Sequence, residues 1–95
     1  MIVRLKDYFE HFAENKDVAK EIRENIIKKH IESSNKPLII LDFTEIDSST
    51  QSFIHALISG LFQDYGEKAL DYFEFRNCSK PIKSLITTVI NYSME

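Results

Sequence analysis

The chain has 95 residues, of which 43% are hydrophobic and 28% charged, and its formal net charge is -3. This length fits one domain, 1-95, because either half would be too small to bury a core, and the composition excludes a disordered chain. Basic side chains are interleaved with acidic ones, which argues against a nucleic-acid partner, and no apolar run approaches the roughly 20 residues that span a bilayer.

The N-terminal third predicts a short strand and then an amphipathic helix. Ile2 to Leu5 fits an edge strand, and charge returns too early in this segment for a signal peptide. From Asp17 to Ile31 apolar residues recur every three to five positions, which is typical of a helix with one buried face. Residues 33–37, Ser-Ser-Asn-Lys-Pro, favour a turn that ends it. We expect three aromatic residues to pack across the sheet or under this helix: Tyr8, Phe9 and Phe12.

The middle of the chain predicts a buried strand followed by a second helix. Leu38 to Phe43 is a short apolar run, which indicates a central strand covered on both faces. Residues 48–50, Ser-Ser-Thr, offer N-cap oxygens for the helix. Its apolar residues start at Phe53 and recur with helical spacing, and Gly66 is a suitable residue to end it.

The C-terminal third predicts another strand and a last helix. Leu70 to Phe75 is rich in aromatic residues, which favour a strand. Residues 79–81, Ser-Lys-Pro, are typical of a helix start, and the helix then carries an apolar stripe: Ile82, Leu85, Ile86, Val89 and Ile90. Strands separated by helices imply right-handed crossovers. We therefore expect an α/β fold in which about three helices pack on a mostly parallel or mixed sheet.

Polar side chains are concentrated in residues 41–53, between the end of the central strand and the start of the second helix. In open α/β sheets, ligands and partners bind at this edge. The N–H groups of a helix start also favour an anion, including a phosphate carried by one of the serines. On the alternative interpretation, one serine caps the helix and the others face water.

Several short motifs follow one another in a distinctive order. Leu-Asp-Phe-Thr-Glu-Ile at 41–46 precedes a serine-rich turn, then Gln-Ser-Phe-Ile-His-Ala-Leu at 51–57, then Phe-Arg-Asn-Cys at 75–78 and an amphipathic helix. This order resembles the STAS-like family of unknown function, which is related to the bacterial anti-anti-sigma factors, over roughly residues 18–91. The resemblance implies a small STAS-like domain with a regulatory, signalling role in the bacterial cytoplasm.

The resemblance also implies a non-catalytic protein-binding switch. Anti-anti-sigma proteins bind a GHKL-type ATPase or kinase, and phosphorylation of a serine at the start of this helix breaks the complex. That role falls first on Ser52, in the family's Ser-Phe element, and second on Ser49, because residues 47–49 match the Asp-Ser-Ser of the anti-anti-sigma proteins. The glycine that follows their phosphorylated serine is absent here. The candidate partner-binding or phospho-switch residues are Asp47, Ser48, Ser49, Thr50, Ser52, Phe53 and His55.

Enzymatic readings have less support. Asp42 and Asp47 form a candidate carboxylate pair for acid–base work or Mg²⁺, but neither a paired nucleophile and base nor a glycine-rich phosphate loop accompanies them. We expect Asp42 to bond backbone donors in the following turn instead. The histidines, which are His11, His30 and His55, lack metal-ligand spacing. We therefore expect no enzyme activity, no cofactor and no metal.

Cys78 is the single cysteine, which excludes an intramolecular disulfide and fits a reducing, cytoplasmic setting. A helix start beside it would lower a thiol pKa, but without a partner cysteine or adjacent histidine we expect it to be a packing residue. The runner-up function is a small-molecule or nucleotide sensor that uses the same loop. The sequence is compatible with a monomer and with a homo-oligomer.

Overall fold

The computed structural model describes residues 1–94. Its strands are β1 Ile2–Arg4, β2 Phe12–Ala13, β3 Ile39–Asp42, β4 Ser48–Ser49 and β5 Phe73–Arg76. Its α-helices are α1 Lys16–Ile22, α2 Lys28–Ser33, α3 Gln51–Tyr65 and α4 Lys80–Ser93. Three other helical segments are the 3-10 helices Leu5–Asp7 and Gly66–Tyr72 and the π-helix Arg23–Ile27.

Three parallel strands form the main sheet in the order β1-β3-β5. Leu41 in β3 lies opposite Val3 in β1 and Phe75 in β5. The expected parallel sheet is confirmed, with β3 at its centre and the N-terminal strand at its edge. A second parallel ladder joins β2 to β4, where Phe12 lies opposite Ser48, and no pattern in the sequence had indicated it.

The prediction that β3 is covered on both faces is wrong. Ile39 and Leu41 are fully buried, whereas Ile40 and Asp42 on the opposite face are partly exposed. The neighbour of Ile40 in β1, Ile2, is 47% exposed. Side chains of a strand alternate between the two faces, so the core covers the Leu41 face of the sheet and leaves the other face open to water.

The first helical region confirms the helix expected over Asp17 to Ile31, because α1, the π-helical segment and α2 follow one another without a break. Asn15 caps it, and its side-chain oxygen accepts from the Asp17 N–H at 2.9 Å. From the π-segment, the Arg23 guanidinium donates to the carbonyl of Ala56 in α3 at 2.9 Å. It also lies against Gly60, where a Cβ would come within 2.9 Å of Arg23 Nη1. Glycine at this position therefore allows the close approach.

The second helix follows the prediction, whereas the strand after it does not. Thr50 is the N-cap of α3, and Gly66, with φ of 64°, ends it. The predicted strand from Leu70 is wrong in its first half, because Gly66–Tyr72 forms a 3-10 helix and β5 begins at Phe73. In that helix Ala69 is buried and the Tyr72 ring packs on Tyr65 at 5.8 Å between centroids. These contacts replace the face-by-face alternation of a strand.

Of the three N-terminal aromatic residues, Phe9 is partly buried and packs against the core. Its ring contacts Phe53 edge to face, with centroids 5.2 Å apart and planes at 88°. Tyr8 lines a shallow pocket beside the first helix, and Phe12 is 45% exposed in β2. Within residues 1–94, every helix is too short or too polar to cross a bilayer.

Candidate functional site

The carboxyl end of the sheet brings two helix starts close together. Thr50 caps α3, and its side-chain oxygen accepts from the Phe53 N–H at 3.1 Å. Ser79 caps α4, and its hydroxyl also donates to the Asp47 carbonyl at 2.8 Å. This second bond ties the start of α4 to the loop that leads into α3. The candidate site is therefore the loop 43–50 together with the first turns of these helices.

Asp42 joins the ends of β3 and β5 at this edge. One carboxylate oxygen accepts from the Thr44 hydroxyl at 2.6 Å, the Thr44 N–H at 3.0 Å and the Asn77 side-chain amide at 3.0 Å. The Thr44 hydroxyl, followed by the Asn77 amide, holds the pKa of Asp42 below its usual value. The prediction that Asp42 bonds a backbone donor in the following turn is confirmed. Within residues 1–94 no three His, Cys, Asp or Glu side chains cluster as metal ligands.

The N-terminal segment holds the loop between β3 and α3 in place. The Asp47 N–H donates to the His11 carbonyl at 2.8 Å. The His11 ring nitrogen Nδ1 lies 3.1 Å from the carbonyl oxygen of Glu45, a residue with positive φ of 64°. The Thr50 N–H donates to the Ala13 carbonyl at 3.2 Å. The cap of α3 is thus positioned by residues almost forty positions earlier in the chain.

The candidate serines differ in how freely their hydroxyls can react or bind. Ser48 and Ser49 form β4 and are half-buried. The Ser49 hydroxyl donates to the Ala13 carbonyl and is therefore already engaged. Ser52 is exposed in the first turn of α3, and its hydroxyl oxygen lies 3.2 Å from that of Thr50. Of the two positions that the resemblance suggested, Ser52 is the more accessible.

Phe53 and His55 lie on different sides of α3. We expected Phe53 among the partner contacts, but its side chain is fully buried (0% exposed) and packs on Phe9. The prediction that Phe53 contacts a partner at the surface is therefore wrong. Phe53 is the third residue after the Thr50 cap, and this position of the helix faces the core. His55 is exposed, as expected for a residue at the rim of the second helix.

Cys78 has the properties of a packing residue. Burial raises the pKa of its thiol, which is opposite to the shift that a nucleophilic cysteine needs. The side chain packs against the edge of the core, with its sulfur 3.9 Å from the Arg76 carbonyl oxygen. The expected packing role fits this environment.

We expect the Thr50→Ala variant to lose about 1 kcal/mol of unfolding free energy, the usual cost of removing an N-cap. The Phe53 N–H would lose its side-chain acceptor. Urea denaturation measures the change. Ser52→Ala, two residues further along, serves as the control and should lie within about 0.5 kcal/mol of wild type. Equal losses of unfolding free energy in the two variants would mean that the Thr50 side chain does not stabilise α3 as its N-cap.

One set of residues escaped the sequence analysis. Gln51, His55, Ser59 and Gln63 recur every four positions along α3 and line a cleft against α4. The signal was present in the sequence as a polar stripe at helical spacing beside the apolar one. It carried no recognisable motif, so only His55 was singled out.

Comparison with known proteins gives one family. Residues 18–83 match the family model described as a STAS-like domain of unknown function. No curated protein and no solved structure matches the chain. The matched region runs from the first helix to the start of α4 and includes β3, β5 and the whole of α3. With most of its length matched and a parallel α/β fold, the chain belongs to the STAS-like domain family of unknown function.

Proposed function

We propose that this domain is a non-catalytic regulatory module that binds a GHKL-type ATPase or kinase through the start of α3. The observation that carries the proposal is the exposed Ser52 hydroxyl in the first turn of that helix. Gln51 and His55 are exposed in the same two turns. A partner that approaches this end of α3 therefore meets Ser52 beside the exposed side chains of Gln51 and His55.

The surrounding groups support binding rather than catalysis. The carboxylate of Asp42 is occupied by Thr44 and Asn77, and the Ser49 hydroxyl is occupied by Ala13. These bonds hold the backbone of the loop in one conformation. A loop that is already ordered loses less conformational entropy when a partner binds, which favours affinity.

Phosphorylation of Ser52 is the proposed switch. A phosphoserine carries a charge of about -1.5 to -2 at neutral pH. The N–H groups of the first helical turn would stabilise the modified free protein. In the complex the same phosphate would have to lose its water, and burying a charge without a matched partner is costly. The modification should therefore weaken the complex while leaving the fold intact.

The test is a crosslinking pull-down in the native host with wild type, Ser52→Asp and Ser84→Asp. Ser84 is an exposed serine on α4, so its variant makes the same charge change elsewhere. We expect wild type and Ser84→Asp to recover a GHKL-type protein and Ser52→Asp to recover at least tenfold less, about 1.4 kcal/mol of binding energy. Intact mass of the native protein should show a phosphate-sized increase.

Two results would count against the proposal. Recovery of the same partners by all three proteins, with no mass increase, would leave Ser52 as a surface residue of the helix start. Equal loss with Ser52→Asp and Ser84→Asp would indicate a general effect of charge. Circular dichroism of each variant checks that its helix content matches wild type.

A further inference from the structure

A cleft of about 530 Å³ lies between α3 and α4. Small-molecule sites in proteins commonly measure about 300–1,000 Å³, so this cleft has the volume of a ligand site. It follows the outer side of α3 away from the serine-rich loop. The lining residues are Gln51, His55, Ser59 and Gln63 from α3 and Val89, Tyr92 and Ser93 from α4.

Among the residues that the structure describes, 1–94, the lining is polar and includes no acidic, lysine or arginine side chain. An anionic or cationic ligand would find no fixed opposite charge there, and moving it out of water would be costly. The chemistry of the cleft therefore selects for an uncharged ligand.

The α3 side of the cleft is a continuous row of hydrogen-bonding groups. Residues four positions apart lie on one face of a helix, so the row from Gln51 to Gln63 extends over about 18 Å. Glutamine amides and a histidine ring offer both donors and acceptors. Such a row can pair with several hydroxyl groups spread along one molecule.

Two serine hydroxyls meet in the lining of the cleft, one from the buried Ser59 and one from the half-buried Ser93. Ser59 is only 7% exposed, and its hydroxyl oxygen lies 3.3 Å from that of Ser93. The Ser93 hydroxyl donates to the Val89 carbonyl at 2.8 Å. A hydroxyl oxygen has two acceptor lone pairs, so this pair retains capacity to accept from a ligand.

The wall on the α4 side carries an aromatic ring. Tyr92 is 66% exposed, whereas the other exposed large hydrophobic residues in the described part of the chain are 38–47% exposed. A ring face gives an apolar surface on which a sugar ring or a base can lie. Val89 also lines the cleft, but it is fully buried (0% exposed).

We propose that this cleft binds an uncharged, polyhydroxylated small molecule of about nucleoside or disaccharide size. The cleft shares Gln51 and His55 with the partner surface proposed above, but the choice of ligand rests on the lining of the cleft. The shared chemistry is a set of hydroxyl groups on a compact ring system with no net charge. Nucleosides and free sugars both supply it.

The test is isothermal titration calorimetry of the whole chain with two groups of probes. Adenosine and uridine form one group, and maltose and trehalose form the other. Adenosine monophosphate is the charged counterpart of adenosine. We expect saturable binding in one of the two groups, and a tenfold or greater loss of affinity on going from adenosine to its monophosphate if nucleosides are the binders. Failure of both groups at millimolar concentration would overturn the proposal.

Variants locate the binding. Tyr92→Ala and Gln63→Ala should each reduce the affinity at least fivefold, because they remove the ring and one end of the polar row. Tyr8→Ala is the matched control, since Tyr8 is another exposed tyrosine, outside the cleft. Unchanged affinity in Tyr92→Ala and Gln63→Ala would overturn the assignment to this cleft. Both replaced side chains are exposed, so the variants should fold.

Discussion

The Phe53→Ala variant should lose about 3–5 kcal/mol of unfolding free energy, as buried phenylalanines do when truncated. Phe53 is fully buried beside the cap of α3, and its ring packs edge to face on Phe9. Domains of this size have about 5–15 kcal/mol of total stability, so the loss would be a large part of the whole. Urea denaturation of the variant and wild type at neutral pH measures it.

Phe12→Ala is the matched control for Phe53→Ala. Phe12 is also a phenylalanine, but it lies in β2 and is 45% exposed. Its truncation should therefore cost much less, about 1 kcal/mol or below. If both variants lost equally little stability while Phe53→Ala lost its partner, Phe53 would be a contact residue and the buried placement would be wrong.

The distinction between Phe53 and Ser52 matters for the proposed function. The two residues are adjacent, yet one faces the core and the other faces water. Packing of Phe53 fixes the rotation of the first turn of α3 and thereby the direction in which Ser52 points. A phosphorylatable serine on a turn anchored by a buried neighbour is presented in one orientation, which favours recognition by one partner surface.

Sequence periodicity predicted the elements that bury one face. Helical spacing located the first helix and α3, and the run around Leu41 located the central strand. The N-cap was readable to within residues 48–50, of which Thr50 is the cap, and so was the end at Gly66, because capping depends on residues a few positions apart. These signals are local, so one chain suffices to read them.

The missed features depend on contacts between distant residues. A continuous apolar run does not reveal how many faces of its strand are covered, which explains the error at β3. The ladder between β2 and β4 contains two residues per strand and has no period to detect. The bond between Asp42 and Asn77 joins residues 35 positions apart. None of these leaves a pattern in a short window of sequence.

The candidate site shows the same division. The sequence located a serine-rich loop at the correct edge of the sheet, but it could not say which hydroxyl is free. Which hydroxyl is free depends on Ala13, whose carbonyl oxygen accepts a hydrogen bond from the Ser49 hydroxyl. The resemblance placed Ser52 first for a different reason, its position before Phe53, and exposure of its side chain is an independent argument for the same residue.

The second large effect is expected at Asp42, where replacement by alanine should cost about 1–2 kcal/mol at neutral pH, because hydrogen bonds to a charged group are lost at a partly exposed position. The change would remove the acceptor that the Thr44 hydroxyl, the Thr44 N–H and the Asn77 amide share, and water replaces it only in part. The ends of β3 and β5 would lose the side-chain bond that joins them. Urea denaturation measures the loss, and the proposed partner surface on α3 should be affected only through the loop.

The stability lost in Asp42→Ala should depend on pH, because the pKa of Asp42 is lowered in the folded protein. The hydrogen bond from the Thr44 hydroxyl is the largest cause of this lowering of the pKa. A carboxyl group whose pKa is lower in the folded state stabilises the fold above its unfolded pKa, here near 3.8. That contribution disappears as pH falls through the folded value. The stability difference between wild type and Asp42→Ala should therefore stay constant from pH 7 to about 5 and shrink at lower pH.

Asp47→Ala is the control for Asp42, because the hydrogen bonds of Asp47 within residues 1–94 run through its backbone. It should change stability by less than about 0.5 kcal/mol. A double-mutant cycle with Asn77→Ala then isolates the bond between the strands, and we expect a coupling energy of about 0.5–1 kcal/mol at neutral pH. Zero coupling, or a loss in Asp42→Ala that is as large at pH 2 as at pH 7, would contradict the assignment of the ionised carboxylate as the link between β3 and β5.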